Sequence, residues 1–387
     1  MITHPLLIAL VLLALELLVL GLARHPRTGR WFSFIPPVFW IYFLPMLAAG
    51  NGLIDPASPL YAQVTRWLLP ASLVLLLVPV DARAILRLGP KALAMFVAGA
   101  VGIIAGGVLS FALFKPLVGA GFWSGFGALC ASWTGGSANM IAAREALAVP
   151  DHVFAPMVIV DTVIPYLWMG MLMAGVALQP AFDRWNRADR TILDELGSRI
   201  AGDRQRQGQE YCLTGAAALV LPAMAVSGLA HLLARQLPQI RDLVSTATWT
   251  IVIVTLLGIL LSFTPLRRLE RYGASRAGSF LLYFVLTTIG ARASAASIGS
   301  ALLLLAAGVV IVAVHGLFLL MAARLLRAPL FLAATASQAS IGGVASAPVV
   351  AEVYQPGMAP VGLLLAILGN LVGTGLGIIS AHLCRLV

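Results

Sequence analysis

Two stretches of this sequence combine paired glycines with small polar side chains, a combination that can hold a solute or an ion inside an apolar protein. The first stretch offers Thr134, Gly135, Gly136, Ser137 and Asn139. Glycine weakens a helix, and hydroxyl and amide groups in an apolar medium need hydrogen-bond partners. We therefore predict a broken helix here, in which backbone groups and polar side chains line a substrate site.

A related stretch lies near the C-terminus. It offers Ser337, Gln338, Ser340, Gly342, Gly343 and Ser346. In each stretch a glutamate, Glu145 or Glu352, follows the second glycine by nine residues. Because the two stretches agree in spacing as well as in composition, we interpret them as an internal duplication. The second copy is predicted to line the substrate site through Ser340, Gly342, Gly343 and Ser346.

The paired glycines have a second possible role, which is to let two helices pack closely. The recurrence of the pattern and the neighbouring Ser137 and Asn139 favour a broken helix that binds a substrate. In either role, Gly136 and Gly343 are expected where two backbones approach each other, so that a branched side chain would not fit.

Asp161 lies about nine residues into the apolar run 152–178. An ionised carboxylate in the middle of a membrane helix costs about 2.5 to 3.5 kcal/mol unless it is paired or binds a cation. We therefore predict that Asp161 binds a coupling ion, sodium or a proton, with Thr162 as a further oxygen ligand. Asn370 takes the corresponding place in the second copy and is predicted to contribute. A structural hydrogen bond to a neighbouring helix is the alternative role of Asp161.

Other polar side chains in apolar runs are open to two interpretations. Glu16 is either a functional carboxylate or a structural acid that faces the protein interior. Glu145 and Glu352 are either gates or ordinary charges at helix ends. His315 is better explained as a hydrogen-bonded core residue than as a proton carrier.

The composition places the chain in a membrane. Of its 387 residues, 60% are hydrophobic and 10% are charged, which is too apolar and too poor in charge for a soluble domain. The net charge of +10 comes mostly from arginines in short loops between apolar runs, as the positive-inside rule predicts. We expect a multi-pass protein of the bacterial inner membrane, with the lipid bilayer as a partner and no nucleic acid.

The sequence lacks the common catalytic motifs. Its three cysteines show no metal-binding spacing, and its two lysines, Lys91 and Lys115, lie outside any phosphate-binding loop. We therefore predict that the protein is not an enzyme and takes no cofactor apart from its coupling ion.

Up to twelve apolar runs reach the roughly 20 residues that a membrane crossing needs. We predict an all-α polytopic fold of two homologous repeats, 1–178 and 211–387, joined by the polar linker 179–210. Twelve full crossings would place the arginines of the loop 267–276 outside the cell, against the positive-inside rule. Inverted repeats with a number of membrane crossings other than twelve remove this conflict. The apolar run at 211–235 is the one whose crossing of the membrane we question.

Four strings together resemble the YjcL-like family of bacterial and plastid membrane proteins, which has no assigned function. They are Ser132 to Met140, Val160-Asp161-Thr162, Asp81-Ala82-Arg83 and Ala339 to Gly343. The resemblance covers nearly the whole chain. The family is distantly similar to sodium/bile-acid symporters, glutamate/sodium symporters and cation/proton antiporters. That similarity implies a panel domain and a core domain with two broken helices that cross at mid-membrane, at Gly135–Gly136 and Gly342–Gly343. It also implies an elevator movement in a homodimer.

We therefore expect a cation-coupled secondary transporter of a small organic solute. Arg292 and the N-termini of the half-helices would suit an anion such as an amino acid or another carboxylate. Sodium and the proton both remain open as coupling ion, and so do symport and antiport. The alternative from another class is a channel or a passive membrane scaffold without coupled transport.

Overall fold

The computed structural model describes residues 1–29, 32, 37–80, 88–188, 215, 218–239, 246–292, 301–356 and 358–387. Within these residues the regular structure is helical, and one isolated bridge joins Ile2 to Ile54. The α-helices are α1 Pro5–Arg24, α2 Pro37–Gly50, α3 Leu60–Leu77, α4 Gly89–Val118, α5 Trp123–Gly135, α6 Ser137–Ala146, α7 Asp151–Ala174, α8 Gln179–Asn186, α9 Val220–Gln236, α10 Thr246–Ser262, α11 Ala274–Arg292, α12 Ala301–Leu326, α13 Leu330–Ile341, α14 Gly343–Tyr354 and α15 Ala359–Leu386. Short 3-10 helices cover Ala120–Phe122, Gly175–Leu178 and Pro265–Tyr272.

Six helices in the described part of the chain are long and apolar enough to cross a membrane. They are α1, α3, α4, the continuous stretch Asp151–Asn186, α12 and α15. Helix α10 with the following 3-10 helix makes a seventh candidate, bent by 97°. The prediction of an all-α polytopic membrane protein is therefore confirmed. The questioned run at 211–235 lies partly outside the described residues, and most of its described part belongs to α9.

The chain divides into two compact units. Unit 1 comprises Met1–Pro79, Glu145–Thr162 and Tyr211–Leu302. Unit 2 comprises Val80–Arg144, Val163–Glu210 and Leu303–Val387. Each unit takes residues from both sides of the polar segment 179–210. Residues 189–210 of that segment and the string Asp81-Ala82-Arg83 lie outside the described residues, and the predicted repeat boundaries stay a prediction.

In unit 1, helix α11 packs against α2 and α3, and α9 and α10 pack against α3. Gly290 of α11 lies so close to the carbonyl of Tyr42 that a Cβ atom would overlap it. Two apolar clusters lie in unit 1: one around Leu75 and Leu281, and one in which Ile8 of α1 joins Tyr61 of α3.

In unit 2, α15 packs along the whole of α5 through small residues. Helix α5 presents Gly127, Ala131 and Gly135, and α15 presents Gly369, Gly373, Gly377 and Ala381. Both rows repeat every four residues, which places them on one face of each helix. Gly127 faces Ala381 while Gly135 faces Gly369, so the two helices run antiparallel. Close packing, the second role considered for the glycines, is therefore realised at these positions.

His315 ties four helices of unit 2 together. Its Nδ1 lies 2.8 Å from the carbonyl oxygen of Gly99 on α4, and its Nε2 lies 2.9 Å from Oγ of Ser337 on α13. The indole of Trp168 on α7 donates to the same Ser337 oxygen at 2.7 Å. Because a carbonyl can only accept, Nδ1 carries the proton and Nε2 accepts from the serine hydroxyl. This confirms His315 as a hydrogen-bonded core residue.

Candidate functional site

The first glycine pair interrupts a helix, as its sequence predicts. Helix α5 ends at Gly135, and Gly136 has φ 81° and ψ 175°, a conformation open in practice to glycine alone. Helix α6 begins at Ser137, and the N–H of Asn139 donates to the carbonyl of Gly136 at 2.9 Å. An added Cβ on Gly136 would find only Oδ1 of Asn370 nearby, at 3.6 Å. Gly136 is therefore required for its backbone angle, and the close approach expected there occurs at Gly135 instead.

The second glycine pair interrupts another helix. Helix α13 ends at Ile341 and α14 begins at Gly343, which has φ 66° and no atom within 4 Å of an added Cβ. As at Gly136, the backbone angle and not a close approach calls for glycine. Across the break, Nε2 of Gln338 donates to Oγ of Ser346 at 2.8 Å. These two side chains lie so near Gly342 that they leave no room for a Cβ on it.

At the second break the chain turns back on itself. The contact between α13 and α14 is among the most extensive in unit 2, and both helices also pack against α15. Two helices that continued each other across one residue would touch only at their ends. The pair α13–α14 is therefore a helical hairpin, which differs from the broken crossing that the family resemblance implies.

Asn139 fastens the first break to α15. Its Nδ2 donates to the carbonyl of Gly135 at 2.5 Å and lies 3.3 Å from the carbonyl of Asn370. Its Oδ1 accepts from the N–H of Thr374 at 2.8 Å and from the hydroxyl of the same residue at 2.5 Å. Residues 370 and 374 are the acceptor and donor of one regular helical hydrogen bond. The amide of Asn139 thus bridges both ends of a single turn of α15.

This arrangement brings together residues for which the sequence predicted different roles, in binding the ion and in binding the substrate. Asn370, predicted to serve the ion, lies beside Gly136 and Asn139, predicted to serve the substrate. Oxygen atoms of Asn139, Asn370 and Thr374 therefore meet at the first break. The role of Thr374 as the partner of Asn139 depends on helix packing that sequence periodicity does not reveal.

Several buried polar atoms of α5 and α13 have no hydrogen-bond partner in the part of the chain that the structure describes. They are Nε1 of Trp133, Oγ1 of Thr335, Oε1 of Gln338 and Oγ of Ser340. Helices α5 and α13 contact each other. Buried polar atoms are normally hydrogen-bonded, so these groups are available to a polar guest. Ser340 was predicted as a site residue, whereas Trp133 and Thr335 look like ordinary core residues in the sequence.

The remaining predicted residues of the first copy occupy two settings. Thr134 is buried, and its hydroxyl donates to the carbonyl of Cys130 within its own helix at 2.8 Å. Ser137 is half-buried at the start of α6.

Asp161 and Thr162 belong to unit 1 and are half-buried in α7, where Thr162 donates to the carbonyl of Val158 at 2.8 Å. Among the residues described, no three His, Cys, Asp or Glu side chains cluster.

Two charged residues discussed above have structural partners. Arg292 lies 3.3 Å from Oδ2 of Asp151, and Oε2 of Glu352 accepts from the N–H of Ala359 at 3.3 Å, at the start of α15. Because Arg292 already faces an acid, it no longer argues for an anionic substrate. The half-helix N-termini at Ser137 and Gly343 still favour an anionic substrate.

These observations define a polytopic α-helical membrane protein whose second unit contains two interrupted helices. The chain belongs to the family described as protein of unknown function (DUF819), whose sequence model matches residues 10–386. It is similar to the uncharacterized membrane protein YjcL of Bacillus subtilis (strain 168), with 27% identity over 369 residues and 90% of each chain covered. The predicted membership of the YjcL-like family is thus confirmed, and the more distant similarity to symporters and antiporters stays a prediction.

Proposed function

We propose that this protein is a cation-coupled secondary transporter of a small organic solute, working by an elevator movement of unit 2 against unit 1. The observation that carries the proposal is that both helix breaks, at Gly136 and at Gly342, fall in unit 2. Unit 2 would then be the core that carries the solute, and unit 1 the panel. We also propose that the protein acts as a homodimer in the bacterial cell membrane.

The order of helices supports the duplication that underlies this proposal. In the first half, α2 and α3 of unit 1 precede the long helix α4, the interrupted pair α5–α6 and helix α7. In the second half, α10 and α11 of unit 1 precede the long helix α12, the interrupted pair α13–α14 and helix α15. The same five-part order occurs twice, as expected for a transporter built from repeats.

Helix directions within unit 2 favour inverted copies. Helix α14 is joined to α15 by a short connection and packs against it, so these two helices run in opposite directions. Because α5 is antiparallel to α15, it runs parallel to α14. Helix α13 folds back on α14 and therefore opposes α5. The corresponding helices α5 and α13 thus point in opposite directions, as inverted repeats require.

We propose that each interrupted pair is a re-entrant hairpin, so that ten helices cross the membrane. With the arginines after α1 on the cytoplasmic side, this count also places the polar segment 179–210, the loop 267–276 and Arg324 on that side. Every arginine-rich loop then obeys the positive-inside rule, which twelve crossings violate. Non-helical backbone at the hairpin tips is tolerated in a membrane where it is enclosed by protein.

The proposed substrate site lies at the two glycine breaks. Half-helix N-termini at Ser137 and Gly343 would receive the negative end of a solute such as an amino acid or another carboxylate. The unpartnered atoms of Trp133, Ser340 and Gln338 would supply its hydrogen bonds. Asp161 and Thr162, both in unit 1, would bind the coupling ion, sodium or a proton.

Thermal stability of the purified protein tests the coupling. A screen of small organic acids and amino acids would first identify a metabolite that stabilises the protein. We expect this stabilisation to become stronger when sodium replaces potassium at constant ionic strength, or when the pH is changed. A ligand at 100 times its dissociation constant stabilises the native state by about 2.7 kcal/mol. Asp161→Asn should keep the metabolite effect and lose its ion dependence, because the amide cannot carry the charge.

Asp183→Asn is the matched control. Asp183 is a buried acid whose Oδ1 accepts from the N–H of Leu330 at 2.9 Å, and its replacement should leave the ion dependence unchanged. In proteoliposomes an ion gradient should then drive accumulation of the metabolite by the wild type. Equilibration without accumulation would indicate a channel, and no movement at all would indicate a scaffold. Unaltered ion dependence in Asp161→Asn would assign Asp161 a structural role.

A further inference from the structure

Glu16 is buried in a helix whose other faces point outward. The buried residues of α1 are Ile8, Leu12, Glu16 and Val19, which form one stripe along the helix. Glu16 has no exposed surface, and neither carboxyl oxygen has a hydrogen-bond partner among the described residues. An ionised carboxylate without a partner in an apolar interior is strongly unfavourable. The neutral, protonated form fits this environment.

The helices that pack against α1 offer little to hold a negative charge at Glu16. Helix α1 contacts α2 and α11. Besides Arg24 of α1 itself, the ionisable side chains of these elements are Tyr42 of α2 and Arg276, Tyr283 and Arg292 of α11. Among them, Tyr283 is within electrostatic range of Glu16. Arg24 lies eight residues, or about two helical turns, beyond Glu16.

A cavity of about 200 Å³ lies between α1 and α11, and Leu20, one helical turn beyond Glu16, is among its lining residues. It is lined by Leu20, Arg24, Ser275, Arg276, Ser279, Phe280 and Tyr283. Leu20 and Arg24 continue the helical row of Glu16 at spacings of four residues, so Glu16 lies one turn deeper on the face that lines the cavity. The lining includes two arginines, Arg24 and Arg276, and also Tyr283, which is within electrostatic range of Glu16.

We propose that Glu16 is a proton-binding site of unit 1, protonated in the folded protein at neutral pH, which exchanges its proton with water through the cavity between α1 and α11. Ser279 and Tyr283 line the route, and the two arginines keep its mouth polar. The site is separate from Asp161 and does not depend on the proposed transport function.

Infrared spectroscopy of the protein in lipid nanodiscs tests the protonation state. A protonated carboxyl has a carbonyl stretching band outside the amide region, and the band shifts when the proton is replaced by deuterium. We expect a band at neutral pH that is present in the wild type and in Asp161→Asn and absent in Glu16→Gln. Identical spectra of the wild type and Glu16→Gln in this region would overturn the proposal.

A chemical probe gives the same answer without a variant at Glu16. Dicyclohexylcarbodiimide adds to protonated carboxyls: the acid proton moves to one nitrogen, the carboxyl oxygen bonds to the central carbon, and no group leaves. Mass spectrometry should find the adduct on Glu16 of the wild type at neutral pH, with a rate that falls as the pH is raised. An adduct that forms only in acid would show that Glu16 is ionised at neutral pH and would refute the proposal.

The exchange route has its own test. Ser279→Leu fills the cavity and should slow hydrogen–deuterium exchange of the Glu16 band at least tenfold. Gly21→Leu is the matched control, because Gly21 is exposed on α1 and has no atom within 4 Å of an added Cβ. It should exchange at the wild-type rate. An unchanged rate in Ser279→Leu would rule out the cavity as the path.

Discussion

Asn139 is predicted to be the largest single polar contribution to the stability of unit 2. Its amide makes four contacts, to the carbonyls of Gly135 and Asn370 and to the N–H and hydroxyl of Thr374. In Asn139→Ala all four are lost, but the carbonyl of residue 370 and the N–H of residue 374 can pair directly, which restores one. Three bonds are therefore lost.

The expected cost follows from hydrogen bonds measured between membrane helices, which average about 0.6 kcal/mol and reach about 1.7 kcal/mol. Three lost bonds correspond to about 2 to 5 kcal/mol. The assay is unfolding of the purified protein in mixed micelles with increasing denaturing detergent, followed by hydrogen exchange of individual peptides. Exchange should rise in residues 132–142 and 368–376, where the broken contacts lie.

Asn186→Ala provides a matched control in the same unit. Asn186 is also buried and donates to the carbonyls of Ala323 and Ala328 at 3.0 and 2.7 Å. Its loss should cost about 1 to 3 kcal/mol and raise exchange near residues 322–330 instead. The prediction is wrong if the free energy of unfolding of Asn139→Ala lies within about 0.5 kcal/mol of the wild-type value. It is also wrong if hydrogen exchange in Asn139→Ala rises in the same peptides as in Asn186→Ala.

Three further predictions address the breaks, the topology and the ion. Gly136→Val and Gly343→Val should each lose about 1 to 3 kcal/mol of stability and any metabolite-dependent thermal shift, because a branched residue cannot adopt their backbone angles. Gly375→Val, with open space around an added Cβ on α15, should behave like the wild type. Single cysteines in the loop 51–60 should react with impermeant reagents from outside and those in 267–276 from inside; labelling from one side only would exclude inverted repeats. Asp161→Glu should retain part of the ion dependence that Asp161→Asn loses, because the charge is kept, and equal loss in both variants would argue against ion binding by the carboxylate.

The sequence by itself determined the membrane class and the positions of the two breaks. Apolar runs of about 20 residues admit few structures other than helices, because the bilayer leaves no water to pair with the backbone. Gly136 and Gly343 were identifiable as break points because each pair of glycines stands beside polar residues that an unbroken lipid-facing helix would not carry.

Only the tertiary structure decided which of these residues meet. Asn139 and Thr374 are 235 residues apart, and the 3.6-residue period that marks a helix says nothing about which helix lies beside it. The structure likewise showed that Arg292 faces Asp151, so that this arginine no longer favours an anionic substrate. It also showed that Gly369 and Gly373 pack against α5, which established that α5 and α15 are antiparallel. Close packing selects neighbours by shape along a whole helix face, and that shape is absent from any local pattern.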